Sequence, residues 1–377
     1  MGVAVALESL VAGHAVGGEE VDCVASSRLI PTMVDPRRDP RWEPFVVGHA
    51  GGRPFHTAGW TDALMSAFGY QPRFHALEDD AGNIAASWPC MLVDSKFTGR
   101  RLVAMPFCHG AGPLVRTEEE AEALLQAVLE DARRLRVAIV ETRGWPCSIP
   151  APARLQRASP FCAHVLDLSH GPERVLAGVS KDMRYSIRRA ERNGLSTREA
   201  TTLRDFDVFW TMYRSQRRRQ ALLPQPKDFL KAVFERMVLT GEGSLVMTEY
   251  QGRAVAALLS LSVGRSTVGT HSASTPEART LRAVPLAMWK SIELACRRGS
   301  TQFDLGRTDP RAIGLMHFKK DWGAQQQELP YLYWPKPAGL NSRAPSSYAR
   351  SLLNMYCRTV PEPLFSYVGG KVYRHLG

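Results

Sequence analysis

Two stretches far apart in the chain carry the same alternation of turn and apolar positions. Ala81–Asp94 (AGNIAASWPCMLVD) and Gln251–Gly264 (QGRAVAALLSLSVG) each read as a glycine turn opening a buried strand. Each follows an earlier strand, PRFHALED in the first copy and SLVMTEY in the second. Each is followed by a long helical stretch, EEEAEALLQAVLEDARRL and PLAMWKSIELACRR. A strand ending in charge comes next, VAIVETR and TQFDLGR. The spans Gly82–Arg143 and Gly252–Arg307 are nearly equal. Same order at near-equal spacing predicts a duplicated α/β unit. A duplicated unit leaves a cleft between its halves, and such junctions are favoured ligand sites.

The rest of the pattern fills in around this repeat. TAGWTDALMSAFG reads as a helix capped by Thr57 or Thr61 and stopped by Gly69. RLVAMPF is a further strand, and HGAGP after it is a glycine-rich loop. The helix from Glu118 to Leu135 is acidic at its start and basic at its end, as the macrodipole favours. Four prolines in PCSIPAPARLQRASP mark the domain junction. Beyond it, AHVLDLS is a strand and GPERVLAGVSKDMRYSIRRAERNG is a pair of short helices stopped by Gly194. The next helix turns Phe206, Phe209, Trp210 and Tyr213 to the core, and another runs through KDFLKAVFERMVLTGEG. ELPYLYW is the last strand. The expected organisation is a first unit over 22–155 and a second over 160–328. A C-terminal strand and helical tail over 329–377 packs back on the first unit.

A chain of 377 residues is too long for one core, in keeping with two domains. At 44% hydrophobic and 23% charged residues it has the composition of a soluble globular protein. Its apolar runs fall short of the ~20 residues a spanning helix needs. The N-terminal MGVAVALESLVAGHAVGGEE has no basic n-region and reads as a frayed tail rather than a signal peptide. Seven scattered cysteines form no CxxC pair and sit at no metal-ligand spacing, so no metal is expected. Reduced thiols place the chain in the cytosol. The net charge of +11 favours anionic partners.

Chemistry concentrates in FDLGRTDPRAIGLMHFKKDWGA, Phe303 to Ala324. A strand ending in Asp304 and Arg307 is followed by a glycine-containing loop and by Phe318, Lys319 and Lys320. In an open α/β sheet such strand ends line the ligand crevice, and these cations would hold a phosphate, a carboxylate or a developing oxyanion. Phe318 is expected in the core, which on an extended segment turns Lys319 into the cleft as the oxyanion partner. Asp304 would orient a lysine or accept a proton, and Glu249 is a second candidate base. Arg307 and Lys320 are candidate substrate ligands. His271, in THSAS, reads as a substrate contact or as a satisfied core histidine. Lys181, Arg184 and Arg188 share one face of a basic helix and form a candidate anion-binding stripe. RSQRRRQ reads as a solvated face. No GxSxG and no Ser/His/Asp order stands out, so direct attack by an acceptor needs only positioning and oxyanion stabilisation.

FDLGR, GLMHFKKDWGA and the closing ELPYLYW resemble the second domain of the FemAB-like branch of the GNAT superfamily. So does VSKDMRYSIRRAERNGL, where Arg184, Ile187, Arg188 and Ala190 occupy the R-x-x-I-R-x-A core. FGYQPRFHALED and RLVAMPFCHGAGPLV resemble the subgroup associated with exopolysaccharide and protein-sorting loci. The resemblance covers Phe55 to Trp334. It implies two tandem GNAT-like units, each with a central mixed sheet flanked by helices. It implies acyl or aminoacyl transfer to an amine or hydroxyl of a cell-envelope or polysaccharide precursor. The co-substrate would be acyl-CoA or aminoacyl-tRNA, with no cofactor bound permanently. Implied partners are an anionic small-molecule or glycan-precursor substrate, tRNA, and the inner face of an anionic membrane, but not DNA. The chain departs from a typical GNAT at ARTLRAVPLAMWKS. Here Arg279 and Arg282 stand where a pyrophosphate loop carries glycines, and Pro285 caps the helix. HGAGPLV offers glycines for close backbone approach, or is a plain turn. Two other readings stand beside this one: a CoA-dependent N-acetyltransferase of a sugar or small amine, and a non-catalytic binder of RNA or anionic lipid.

Overall fold

The computed structural model describes residues 29–335, 355–357 and 359–377. The N-terminal tail and most of the stretch SSYARSLLNMYCRTV lie outside the described residues. Twelve strands are described: β1 (Ile30–Val34), β2 (Gln71–Glu78), β3 (Ile84–Ser95), β4 (Gly99–Val103), β5 (Ile139–Arg143), β6 (Gln156–Asp167), β7 (Ser196–Glu199), β8 (Gly243–Tyr250), β9 (Arg253–Val263), β10 (Ser266–Ser274), β11 (Gln302–Asp304) and β12 (Gln325–Trp334). The helices are α1 (Trp42–Gly48), α2 (Ala58–Phe68), α3 (Glu118–Arg134), α4 (Gly171–Gly178), α5 (Lys181–Arg192), α6 (Leu203–Arg219), α7 (Lys227–Val233), α8 (Ala278–Leu281), α9 (Ala283–Arg297), α10 (Ile313–Asp321) and α11 (Glu362–Leu376).

All twelve strands join one mixed sheet in the order β1-β2-β3-β4-β5-β12-β6-β11-β10-β9-β8-β7. From either edge the pattern is the same. Four strands run antiparallel (β1 to β4, β7 to β10), and a fifth pairs parallel with the fourth (β5 with β4, β11 with β10). The repeat in the sequence is therefore a repeat of strand order. Gly82 and Gly252, at φ 78° and 73°, make the equivalent hairpin turns in the left-handed region that glycine alone enters freely. The sixth strands cross over. β6 follows β5 in the chain but lies beside β11, and β12 follows β11 but lies beside β5. β6 and β12 pair antiparallel at the centre, from Gln325↔Val165 to Tyr333↔Gln156. The two units thus share one sheet, each closed by the other's last strand.

Helices cover the sheet as their apolar stripes require. Thr117 caps α3 with a reciprocal Glu120 contact, and Leu124, Leu125 and Val128 pack with Trp88 and Leu102. In the second unit α9 lays Ala287 and Ile292 on Val255 and Phe303, together with Met183, Ile187 and Ala190 of α5. A third core spans both units: α2 meets α7, with Trp60 against Phe229 at 5.3 Å between ring centroids. α11 also touches both units. The Tyr70 hydroxyl donates to the Arg374 carbonyl at 2.9 Å, and Arg217 donates to the Tyr373 hydroxyl at 3.0 Å.

Candidate active site

β10 and β11 run together for only three residue pairs, ending at Val268↔Asp304. Beyond this point β10 bulges between Gly269 and His271, with Thr270 as the extra residue against β9. A bulge bends its strand, and here the parallel ladder ends where β10 bends. The opening is a cleft of ≈ 720 Å³. Gly269–Ser272 and Leu305–Arg307 line it from the second unit, and Phe107–His109 and Arg143 from the first.

His109 reaches this cleft because the HGAGP loop crosses the end of β5 at backbone contact distance. A Cβ on Gly112 would stand 2.2 Å from the Gly144 carbonyl oxygen, and one on Gly144 2.8 Å from Gly110 Cα. The glycines serve close approach of chain to chain. His109 Nε2 lies 3.3 Å from Asp304 Oδ2, and its ring sits edge-on to Phe55. The other oxygen of Asp304 accepts the Gly306 N–H at 2.7 Å. Burial pushes the Asp304 carboxyl up, but His109, Arg53 and the Gly306 N–H outweigh it and hold it at about 2. An ionised carboxylate only accepts, so Nε2 carries a proton, and in the neutral ring the lone pair is then on Nδ1. No sequence expectation included His109; its only signal was a histidine heading a glycine loop at a strand end.

Lys319 enters from the second unit. The segment carrying it is a helix, α10, and not the extended stretch expected from the sequence. Phe318 packs near Trp322, with ring centroids 6.3 Å apart, while Lys319 turns inward and is 4% exposed. Its ammonium donates to the carbonyls of Gly306 and, at 3.5 Å, Arg307. Burial brings the amine down to about 8, against the pull of nearby Asp304. Arg307 lies 4.5 Å over the Phe161 ring and donates to the Tyr331 hydroxyl at 2.9 Å. His271 Nε2 meets Gln225 Oε1 at 2.6 Å, and burial lowers its pKa to about 4, so the ring is neutral. Arg143, half-buried and lining the same cleft, is paired with Glu141 at 2.6 Å. Cys108 donates to the Met105 carbonyl, and burial pushes its thiol up to about 12, far from a thiolate nucleophile.

Of the residues singled out in the sequence, Asp304, Lys319, Arg307 and His271 converge here. Others do not. Lys320 faces solvent. Glu249 pairs with Arg198 at 2.8 Å beside β7 and does not line the cleft. Lys181, Arg184 and Arg188 lie on α5, whose buried face packs on α9; none of them lines the cleft. The linear spacing that aligned the three bases said nothing about which side of the sheet α5 covers. Among the described residues no group of three His, Cys, Asp or Glu side chains could hold a metal, and no helix is long and apolar enough to cross a membrane.

A profile of the acetyltransferase (GNAT) domain matches residues 177–320. No curated protein matches the chain in sequence. Among solved structures, FemX superposes with a TM-score of 0.67 at 13% identity, over 81% of this chain and 97% of its own. The C-terminal domain of a putative lysylphosphatidylglycerol synthetase from Agrobacterium fabrum gives 0.52 at 12%, over 84% and 94%. A tandem GNAT protein of the clavulanic acid biosynthesis pathway gives 0.50 at 12%, over 81% and 98%. Residues 177–320 thus match the GNAT acetyltransferase domain, and the chain as a whole shares the fold of FemX and of the tandem GNAT protein.

Proposed function

We propose that this protein transfers an acyl or aminoacyl group to an amine or hydroxyl held in the cleft, by direct attack and without a covalent enzyme intermediate. The observation that carries this reading is the meeting of the His109–Asp304 pair and Lys319 where β10 parts from β11. In this reading the acceptor nitrogen or oxygen attacks the donor carbonyl carbon as His109 Nδ1 takes its proton. Asp304 holds the ring and stabilises the imidazolium. The carbonyl oxygen becomes negative, and the Lys319 ammonium stabilises it more than the ground state. Collapse expels the donor's thiolate or ribose alkoxide, which takes its proton from the His109 imidazolium and returns the ring to neutral. Arg307 and His271 would orient the acceptor.

The acceptor class we favour is an anionic cell-envelope or polysaccharide precursor, since Arg143, Arg307 and Arg217 line the same cleft. The donor is acyl-CoA or aminoacyl-tRNA. α9 begins after Arg282 with no glycine between Thr275 and Val284, which favours a donor not gripped by a glycine-rich pyrophosphate loop. If the donor is a charged tRNA, the exposed Lys181 and Arg188 of α5 are candidates for its backbone, apart from the chemistry. The same surface would serve the rival reading, a non-catalytic binder of RNA or anionic lipid. Thermal shift and product analysis with acetyl-CoA and with charged tRNA, each with an amine acceptor, test the proposal. Stabilisation by one donor and turnover that His109→Gln abolishes are expected. RNA or vesicle binding with neither donor consumed would replace it by the binding reading.

A further inference from the structure

Phe97, at the tip of the hairpin between β3 and β4, is 82% exposed, more than any other large apolar side chain among the described residues. Its ring meets His375 of α11 edge-on, with centroids 4.7 Å apart. Beside it Ser95 Oγ lies 2.9 Å from His375 Nδ1, and Thr98 and Arg101 donate to the His375 carbonyl at 3.2 and 2.9 Å. The tip is thus fixed to the last turn of α11.

α11 is fastened by one face and open on the other. Phe365 and Gly369 are buried, and a Cβ on Gly369 would stand 2.5 Å from the Pro224 carbonyl oxygen. On the opposite side Leu364, Tyr367, Lys371 and Arg374 follow at steps of three and four residues, which makes one stripe of a helix. All four are exposed, Leu364 by 47% and Tyr367 by 61%. Lys371 Nζ lies 5.3 Å over the Tyr367 ring. The stripe ends at Arg374, next to the histidine that Phe97 touches.

The charge of this face is unevenly matched. Lys371, Arg374 and the exposed Lys96, beside Phe97, form no ion pair among the described residues. Of the carboxylates around them, Asp94 is taken by Arg100, and Glu362 by Arg214 and Arg218. Asp228 lines a groove together with Lys371 and Arg374, where Lys227 is already paired with Asp207. Three cations stand against one carboxylate. Projecting aromatic and aliphatic groups interleaved with uncompensated cations suit an anionic membrane surface, where the apolar groups enter between the lipids and the cations stay with the headgroups.

We infer that the outer stripe of α11 and the Phe97 tip dock this protein on an anionic lipid bilayer. α11 also walls the cleft through Tyr373 and Leu376, so docking holds the cleft roughly one helix diameter, 10–12 Å, from the headgroups. The inference does not rest on acyl transfer, because binding is read with neither donor nor acceptor present. Full-length protein is sedimented with vesicles of phosphatidylglycerol and phosphatidylcholine in equal parts, and with vesicles of phosphatidylcholine alone. Binding is expected to the first only, and it should fall as salt rises. Phe97→Ser should weaken it at least about tenfold, the scale of one aromatic side chain kept out of an apolar phase. Lys371→Gln with Arg374→Gln should also weaken it, by about fivefold for each cation removed. Arg184→Ala with Arg188→Ala, on α5, should bind as the wild type does. Phe97, Lys371 and Arg374 are exposed, and near-UV circular dichroism checks that their variants keep the native fold. Equal binding to uncharged vesicles, unchanged binding by the folded Phe97→Ser or Lys371→Gln/Arg374→Gln protein, or a loss confined to the α5 variant would overturn the assignment. So would failure to bind anionic vesicles; a dimer in size exclusion that Phe97→Ser dissociates would then give this face to a second copy of the chain.

Discussion

Asp304 and Lys319 are both buried, and burial disfavours charge on each, yet their responses differ. Asp304 is held ionised by its partners, so replacing its charge should disable what it orients. Asp304→Asn should lower turnover by roughly 10²- to 10⁴-fold, the scale seen when a histidine loses its orienting carboxylate; steady-state kinetics at saturating donor checks this, and a fall of less than about fivefold would count against the pair. Lys319 gives up its proton at about 8, against 10.5 ordinarily. Its cation is the form the proposed reaction needs, so turnover should decline as pH rises through about 8, and Lys319→Met should lose that limb along with ~10² or more of the rate. For stability the sign is opposite. Between about 8 and 10.5 the unfolded chain binds the proton and the folded one does not, so this residue's contribution rises with pH. Below pH 8 the buried ammonium destabilises the fold by up to about 3 kcal/mol. At pH 7 Lys319→Met should therefore be more stable by about 1–2 kcal/mol, after allowing for the Gly306 carbonyl left without its donor. Urea midpoints measure this, and a clearly less stable variant would mean that Lys319 is structural.

At the scale of elements, the loop from β4 to α3 matters because it carries His109 across the sheet. Its position depends on Gly110, Gly112 and Gly144 letting two backbones touch. Gly112→Ala would force a Cβ to within 2.2 Å of the Gly144 carbonyl, so the loop must move. A destabilisation of about 2 kcal/mol or more is expected, with activity lost even in the folded fraction because His109 leaves Asp304. Retained wild-type kinetics would show that the loop's position is unimportant. α5 makes a contrasting prediction. Its basic residues lie outside the cleft, so Arg184→Ala with Arg188→Ala should leave transfer to a small acceptor unchanged. Binding of RNA should weaken, with the salt slope falling by about one unit for each phosphate no longer neutralised. An unchanged slope would return this face to plain solvation.

At the scale of the molecule, the exchange of β6 and β12 removes any clean cut between the halves. β12 fills the gap between β5 and β6, so a chain ended before Gln325 would leave two central strands with open edges. Neither residues 29–155 nor 160–328 should fold alone, although the second fragment contains the whole GNAT-matched stretch. The intact chain should unfold in one transition, with calorimetric and van't Hoff enthalpies in agreement. A dispersed spectrum from the isolated 160–328 fragment would refute this.

The sequence by itself determined what depends on neighbours along the chain. Glycine turns, helix caps and alternating apolar runs placed the hairpins β2–β3 and β8–β9, the helices α3 and α9, and the repeat they compose. It also singled out Asp304, Lys319 and Arg307 as candidates, because strand ends and the basic segment after them are local features. The local reading failed where conformation is set from outside: the Phe318–Lys319 segment became helical, and its inward lysine is chosen by helix rotation and packing. Only the tertiary structure decided that β6 and β12 change places, that α5 turns its charges away from the cleft, and that His109 meets Asp304 across 195 residues of chain. Long-range strand pairing and close backbone approach between loops depend on complementary surfaces from distant segments, and those leave no periodic trace in either segment alone.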